Sequence, residues 1–196
     1  MNIGIVGGTF NPVHNGHIAI ALYSLERIPL DYIYLVPSSN PPHKNYSSLA
    51  SFSHRVEMIK LAINNYPRLL CSELDYTGND KSYSKYLIQR FKQQLPEAVL
   101  YFIIGTDNIP MLHTWFDYEW ILNNVKIVAV NRKTAGKYRN LPWSDMISFL
   151  DMPPVDISSS ELRKMIARGG SINASIPPAV SEYIFNKKLY TQEANL

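Results

Sequence analysis

The sequence predicts an α/β protein, a Rossmann-like doubly wound parallel sheet with a small helical C-terminal extension. Short apolar runs alternate with amphipathic stretches, the pattern of successive βαβ units. The runs are almost continuously apolar, as suits strands covered on both sheet faces. Several are followed at once by segments bearing glycine, serine or lysine, and open α/β sheets bind ligands at the carboxyl ends of their strands.

In chain order, residues 3–6, 32–36, 69–74, 99–104 and 126–131 read as strands. They are short, rich in β-branched and aromatic residues, and bounded by Gly, Pro, Ser or Asn. Residues 147–151 read as a further short strand. Between them, residues 16–27, 52–65 and 83–94 carry apolar residues at helical spacing, with Phe52, Val56, Ile59 and Ile63 on one face. Two helices close the chain: 159–168, followed by the capping pair Gly169-Gly170, and 178–186, opened by Pro177-Pro178. Without repeats, low-complexity stretches or long linkers, residues 1–196 are expected to form one domain whose helical C-terminal part begins near residue 157.

Composition narrows the function classes. Hydrophobic residues make up 46% and charged residues 18% of the chain, an ordinary globular balance. The net charge of +3 is scattered in single Lys and Arg residues, so no nucleic-acid stripe is expected. Cys71 is the one cysteine, which excludes an intrachain disulfide and a cysteine-built zinc site and fits a reducing compartment. No apolar run approaches the roughly 18 residues of a membrane span, and the start Asn2-Ile3-Gly4-Ile5-Val6 lacks the features of a signal peptide. The expectation is a cytoplasmic protein with neither membrane nor nucleic-acid partner. Oligomeric state is left open, and a homo-oligomer is compatible with it.

Five segments carry chemistry. Gly7-Gly8-Thr9-Phe10 leaves the first strand, where two glycines permit a tight turn or a close backbone approach to phosphate. The spacing fits neither G-x-G-x-x-G nor a P-loop. Asn11-Pro12-Val13-His14-Asn15-Gly16-His17 then leads into a helix, with His14 and His17 three residues apart at its N-terminus. They lack the carboxylate and third ligand of a zinc motif; imidazoles at a helix N-terminus suit a phosphate gathering charge in a transition state. After the second strand, the prolines of Pro37-x-x-Asn40-Pro41-Pro42-His43-Lys44 stiffen a loop that can present Lys44 to an anion, or leave it solvated. Gly105-Thr106-Asp107 follows the fourth strand, where Asp107 can meet a ligand or N-cap the next short helix. Ser158, Ser159 and Ser160 open a helix with Arg163 one turn in, which offers hydroxyls, free N–H groups and a forked cation to phosphates. Ser158 and Glu161 also read as a plain capping box.

Together these residues resemble the signature of the H-x-G-H nucleotidyltransferases, and most closely the bacterial nicotinate-nucleotide adenylyltransferases. The resemblance runs from Ile3 to about Tyr190 and includes the ending Ile176-Pro177-Pro178…Tyr183-Ile184…Leu189-Tyr190. It implies transfer of AMP from ATP to nicotinate mononucleotide, giving nicotinate adenine dinucleotide and pyrophosphate. It further implies that Lys44 meets phosphates, that Asp107 lies by the adenylate ribose, and that the Ser158–Ser160 and Arg163 element closes over the ATP phosphates. ATP is thus expected at Gly7, Gly8, Thr9, Phe10, His14, His17, Gly105, Asp107, Ser158, Ser159, Ser160 and Arg163, with His17, His14, Lys44 and Arg163 catalytic. The acceptor is expected at Asn40, Lys44, Tyr83, Ser84, Trp115 and Arg132.

The acceptor side departs most from the family pattern. Lys81 stands where Pro is usual, Ser84 and Ser160 where Thr is usual, and Gly136 comes late after Arg132. Trp115 or Phe116 can stack on a pyridine ring or simply belong to the core. Other acceptors, nicotinamide mononucleotide or pantetheine phosphate, therefore stay open, as does a nucleotide-binding regulator without turnover. Mg²⁺ is expected to ride mainly on the ATP phosphates, without protein metal ligands.

Overall fold

The computed structural model describes residues 1–41, 49–78, 80–130, 138 and 141–191. Six parallel strands form one sheet: β1 (Asn2–Gly8), β2 (Tyr32–Pro37), β3 (Leu69–Cys71), β4 (Val99–Gly105), β5 (Lys126–Val130) and β6 (Ile147–Leu150), in the order β3-β2-β1-β4-β5-β6. The chain winds outward from β1 to β3, then returns to lay β4 on the other side of β1. That reversal opens a crevice between the ends of β1 and β4.

Alternation along the strands feeds two cores. Tyr101 and Ile103 of β4 and Val128 and Val130 of β5 face one side; Leu100, Phe102, Ile104, Ile127 and Ala129 face the other. On the first side lie α1 (Asn15–Arg27), α2 (Phe52–Ile63), α5 (Ser159–Ala167) and α6 (Pro178–Asn186), contributing Ile18, Ile59, Leu162 and Val180 among others. On the second lie α3 (Ser84–Gln94), through Leu87, Ile88 and Phe91, and α4 (Tyr118–Asn124), through Ile121. The sheet is thus doubly wound, and the C-terminal helices share a core with α1 and α2.

Three details differ from the expected elements. The third strand stops at Cys71 because the chain turns at once, Tyr76 N–H donating to Glu73 O (2.9 Å), which carries Asp75 inward. Where a short helix is expected after Gly105, residues 106–124 hold a 3-10 segment (Thr106–Thr114) with Pro110 inside it, followed by α4, which the sequence does not predict. The expected capping box at α5 does not form: Ser158 makes no side-chain cap bond, and Glu161 pairs with Lys164 Nζ at 2.7 Å instead. Gly169 does close that helix, with φ 70° and its N–H on Ile166 O at 2.9 Å.

Candidate active site

Gly7 and Gly8 are still in the ladder, opposite Val36 and Pro37, so the expected glycine turn is a strand end instead. A Cβ on Gly7 would meet the Phe102 ring at 3.4 Å, and one on Gly8 the Phe10 ring at 3.4 Å, ordinary van der Waals contact in both cases. The left-handed position belongs to Phe10 itself (φ 46°), 1% exposed, whose burial in the core offsets the strain of that backbone. Its ring centroid lies 4.9 Å from that of His17.

His14 is the N-cap of α1 and His17 its third residue. The His14 N–H donates to His17 Nδ1 (3.2 Å), which makes Nε2 the protonated nitrogen of a neutral His17 ring. The two rings pack against each other, 3.7 Å between centroids and tilted by 30°. His14 is 2% exposed and lies beneath, while His17 is half-buried. Gly16 follows from this packing: a Cβ there would come within 3.0 Å of His14 Nδ1. The middle glycine of H-x-G-H therefore makes room for the first histidine.

The start of α5 reaches this turn from nearly the other end of the sequence. Ser159 Oγ donates to Pro12 O (3.0 Å), and Arg163 Nη1 donates to Asn11 O (2.8 Å) while Nη2 reaches Ser160 Oγ (3.4 Å). Among the described residues, two of the five guanidinium N–H donors of Arg163 are thus engaged, which fixes the fork beside the turn. Ser158 and Ser160 are exposed at the same helix start.

Across the crevice, Asp107 does not cap the segment after β4; Gly105 holds the cap position. Asp107 is exposed and folds back so closely that any side chain at Gly105 would collide with its Oδ1. At the acceptor side, Asn40 is fastened to the 81–84 segment in both directions. Its N–H donates to Ser82 Oγ (2.9 Å), and Ser82 N–H donates to Asn40 O (2.9 Å). Tyr83 precedes α3, with Ser84 its first residue, and its ring meets Phe116 at 5.1 Å. Trp115 stands edge-on to Phe102 at 6.2 Å, so part of its face belongs to the core. Lys44 and Arg132 lie outside the described residues.

Two further residues escape the sequence reading. Arg55, on α2 between the apolar positions Phe52 and Val56, is 1% exposed. Its guanidinium donates to the carbonyls of Ala50 (3.0 Å), Thr9 (2.9 Å) and Ser38 (2.7 Å), joining the segments that leave β1 and β2. Burial presses its pKa below the ordinary value, against the pull of Tyr190 and Asp75. Asp75 is itself buried, 3.7 Å from Arg90 Nη1. Burial pushes its carboxyl up to about 6; Ser82, Arg90, the Ser39 backbone and Arg55 pull the other way. An arginine three residues from an apolar anchor is the one sequence signal that could have marked this staple.

This geometry has relatives. Residues 5–165 match the cytidylyltransferase-like family. The probable nicotinate-nucleotide adenylyltransferase of Synechococcus sp. (strain JA-3-3Ab) is 36% identical over 194 residues, covering 96% of this chain and 94% of that protein. The chain belongs to the nicotinate-nucleotide adenylyltransferase family. The probable family member of Exiguobacterium sibiricum is 34% identical over 97% of this chain and 99% of its own. The fold is shared with the Plasmodium falciparum nicotinic acid mononucleotide adenylyltransferase complexed with NaAD, at a TM-score of 0.80 and 23% identity over 96% of this chain and 97% of that one. In this family member the crevice between β1 and β4 carries the H-x-G-H turn on one lip and Gly105–Asp107 on the other. Among the described residues, no helix is long and apolar enough to cross a membrane.

Proposed function

We propose that this protein transfers AMP from Mg-ATP to nicotinate mononucleotide, releasing pyrophosphate and forming nicotinate adenine dinucleotide. An oxygen of the acceptor's 5′-phosphate attacks the α-phosphorus in line. A new P–O bond forms as the bond from the α-phosphorus to the bridging oxygen breaks, and pyrophosphate leaves with that electron pair. The attacking phosphate is already ionised, so positioning and charge stabilisation dominate over base catalysis.

The observation that carries this reading is the pairing of His17, its tautomer set by the His14 N–H at 3.2 Å, with Arg163, anchored on Asn11 O at 2.8 Å. Both are prepared donors on one lip of the crevice. His17 Nε2–H serves a non-bridging oxygen of the α-phosphate, and His14 supports it from below. Gly7, Gly8, Thr9 and Phe10 bring the backbone to the phosphates; Ser158, Ser159, Ser160 and Arg163 close on the leaving pyrophosphate. Asp107 and Gly105 take the ribose. Asn40, Lys44, Tyr83, Ser84, Trp115 and Arg132 receive the acceptor, with Lys44 and Arg132 assigned on the family resemblance. The donors around the turn are imidazole, hydroxyl and guanidinium, so Mg²⁺, which prefers oxygen anions and water, enters on the ATP phosphates.

The test is purified protein with Mg-ATP and, in separate arms, nicotinate mononucleotide, nicotinamide mononucleotide or pantetheine phosphate, scored by pyrophosphate release and product mass. Nicotinate adenine dinucleotide is the expected product. His17→Ala is expected to cut its formation by about 100-fold or more, the loss typical of a charge-stabilising donor. Near-normal turnover in that variant, or ATP binding without pyrophosphate release in the wild type, would overturn the reading.

A further inference from the structure

The H-x-G-H turn rests on the end of the chain through a contact outside the nucleotide-facing motifs. Asn11, 5% exposed, is the hub. Its Oδ1 accepts from Tyr190 O–H at 2.7 Å and from the Ala50 N–H at 3.0 Å, while its carbonyl takes Arg163. Ala50 in turn gives its carbonyl to Arg55, whose other arms hold Thr9 O and Ser38 O. One chain of hydrogen bonds thus runs from a hydroxyl at residue 190 to the segments leaving both β1 and β2.

We propose that Tyr190 is a positioning residue for nucleotidyl transfer: through Asn11 it fixes the seat of the H-x-G-H turn, and with it the aim of His17 and Arg163. Asn11 adjoins Pro12 and lies three residues before His14, so a shift of its side chain moves the N-terminus of α1. The same stretch is tied to the extension a second time, by Asn15 N–H to Ser175 O (2.9 Å) and Asn15 Nδ2 to Ala174 O (3.3 Å). Those two contacts hold the helix start from below. Tyr190 reaches the side chain of Asn11 from the extension, and it lies in the field of both Arg163 and Arg55. Tyr190 has φ 64°, a left-handed backbone that is unusual for an aromatic residue. Here the segment after α6 supplies a half-buried donor to the H-x-G-H turn.

The inference rests on the adenylyl-transfer reading, and two readouts separate their fates. Tyr190→Phe removes one hydroxyl and keeps the ring; Asn11 Oδ1 retains its Ala50 donor. The expected result is kcat lowered about 10-fold, as loss of one half-buried donor at a geometry-critical point implies, with the melting temperature within a few degrees of wild type. Amide exchange should rise in peptides covering residues 9–15 and 49–51 and stay unchanged at β4 and β5. In an Asn11→Ala background the Tyr190→Phe change should cost nothing more. Wild-type kcat in Tyr190→Phe, unchanged exchange at residues 9–15, or an equal further loss in the Asn11→Ala background overturns the proposal. If the wild type makes no dinucleotide, the functional reading fails, and the exchange measurement still decides whether Tyr190 seats the turn.

Discussion

At Asp75 the balance between burial and neighbours has a measurable consequence. The carboxyl is 3% exposed, and its pKa is pushed up to about 6 from an ordinary 3.8, chiefly by burial. The folded state therefore binds this proton more tightly than the unfolded chain. Its contribution to stability is present below pH 4 and is lost as pH rises through 6. Asparagine mimics the protonated acid, so Asp75→Asn should gain on the wild type across that window, by up to about 3 kcal/mol at 1.36 kcal/mol per pH unit of displacement. Urea unfolding of both proteins at pH 4, 5 and 7 gives the answer. Parallel pH curves would mean that the buried carboxyl does not titrate as its surroundings demand. Legibility also differs residue by residue. His17 and Arg163 announce themselves through motif spacing, and the structure brings them to one turn. Arg55 and Asp75 do not, because the burial that gives them their work is created by segments far away in sequence; Asn11 stands inside the motif, yet its bonds to Ala50 and Tyr190 show only in the fold.

Among the elements, β1 is packed to its limit. A Cβ on Gly4 would meet Ile33 Cγ1 at 2.7 Å, Ile103 Cδ1 at 3.0 Å and Leu30 Cδ1 at 3.2 Å. These side chains are buried in the first core and have little room to yield. Gly4→Ala is therefore expected to destabilise by about 1–3 kcal/mol. The check is its denaturation midpoint with the m-value unchanged; a neutral result would show that β1 and β2 can slide apart. The apolar runs behind β1, β2, β4 and β5 made those strands readable, because strands buried on both faces have nothing polar to hide them. The 106–124 stretch was not readable for the opposite reason. Pro110 prevents a regular helical ladder, and α4 holds only one fully buried apolar side chain, Ile121. Such short pieces owe their form to packing rather than periodicity.

For the molecule as a whole, the C-terminal extension is bound to the same core as α1 and α2. Leu162, Ile166, Ile172, Ile176, Val180 and Ile184 are each at most 3% exposed. At about 1.5–3 kcal/mol per buried side chain, these six residues contribute roughly 9–18 kcal/mol, as much as the whole net stability of a typical domain, about 5–15 kcal/mol. A chain ending at residue 156 should therefore fail to fold, and the intact protein should unfold in one transition. Far-ultraviolet dichroism and tryptophan fluorescence, followed together through a denaturant titration, check this; separate midpoints would make the extension an independent unit.

The bond from Tyr190 to Asn11 has a bearing on how the protein is made. Translation proceeds from the N-terminus, so the H-x-G-H segment is made well before its anchors at 159, 163 and 190. A nascent or prematurely terminated product carries both histidines yet lacks the seat they rest on. On the proposed role of Tyr190, the seat of the two histidines is completed only once residue 190 has been made.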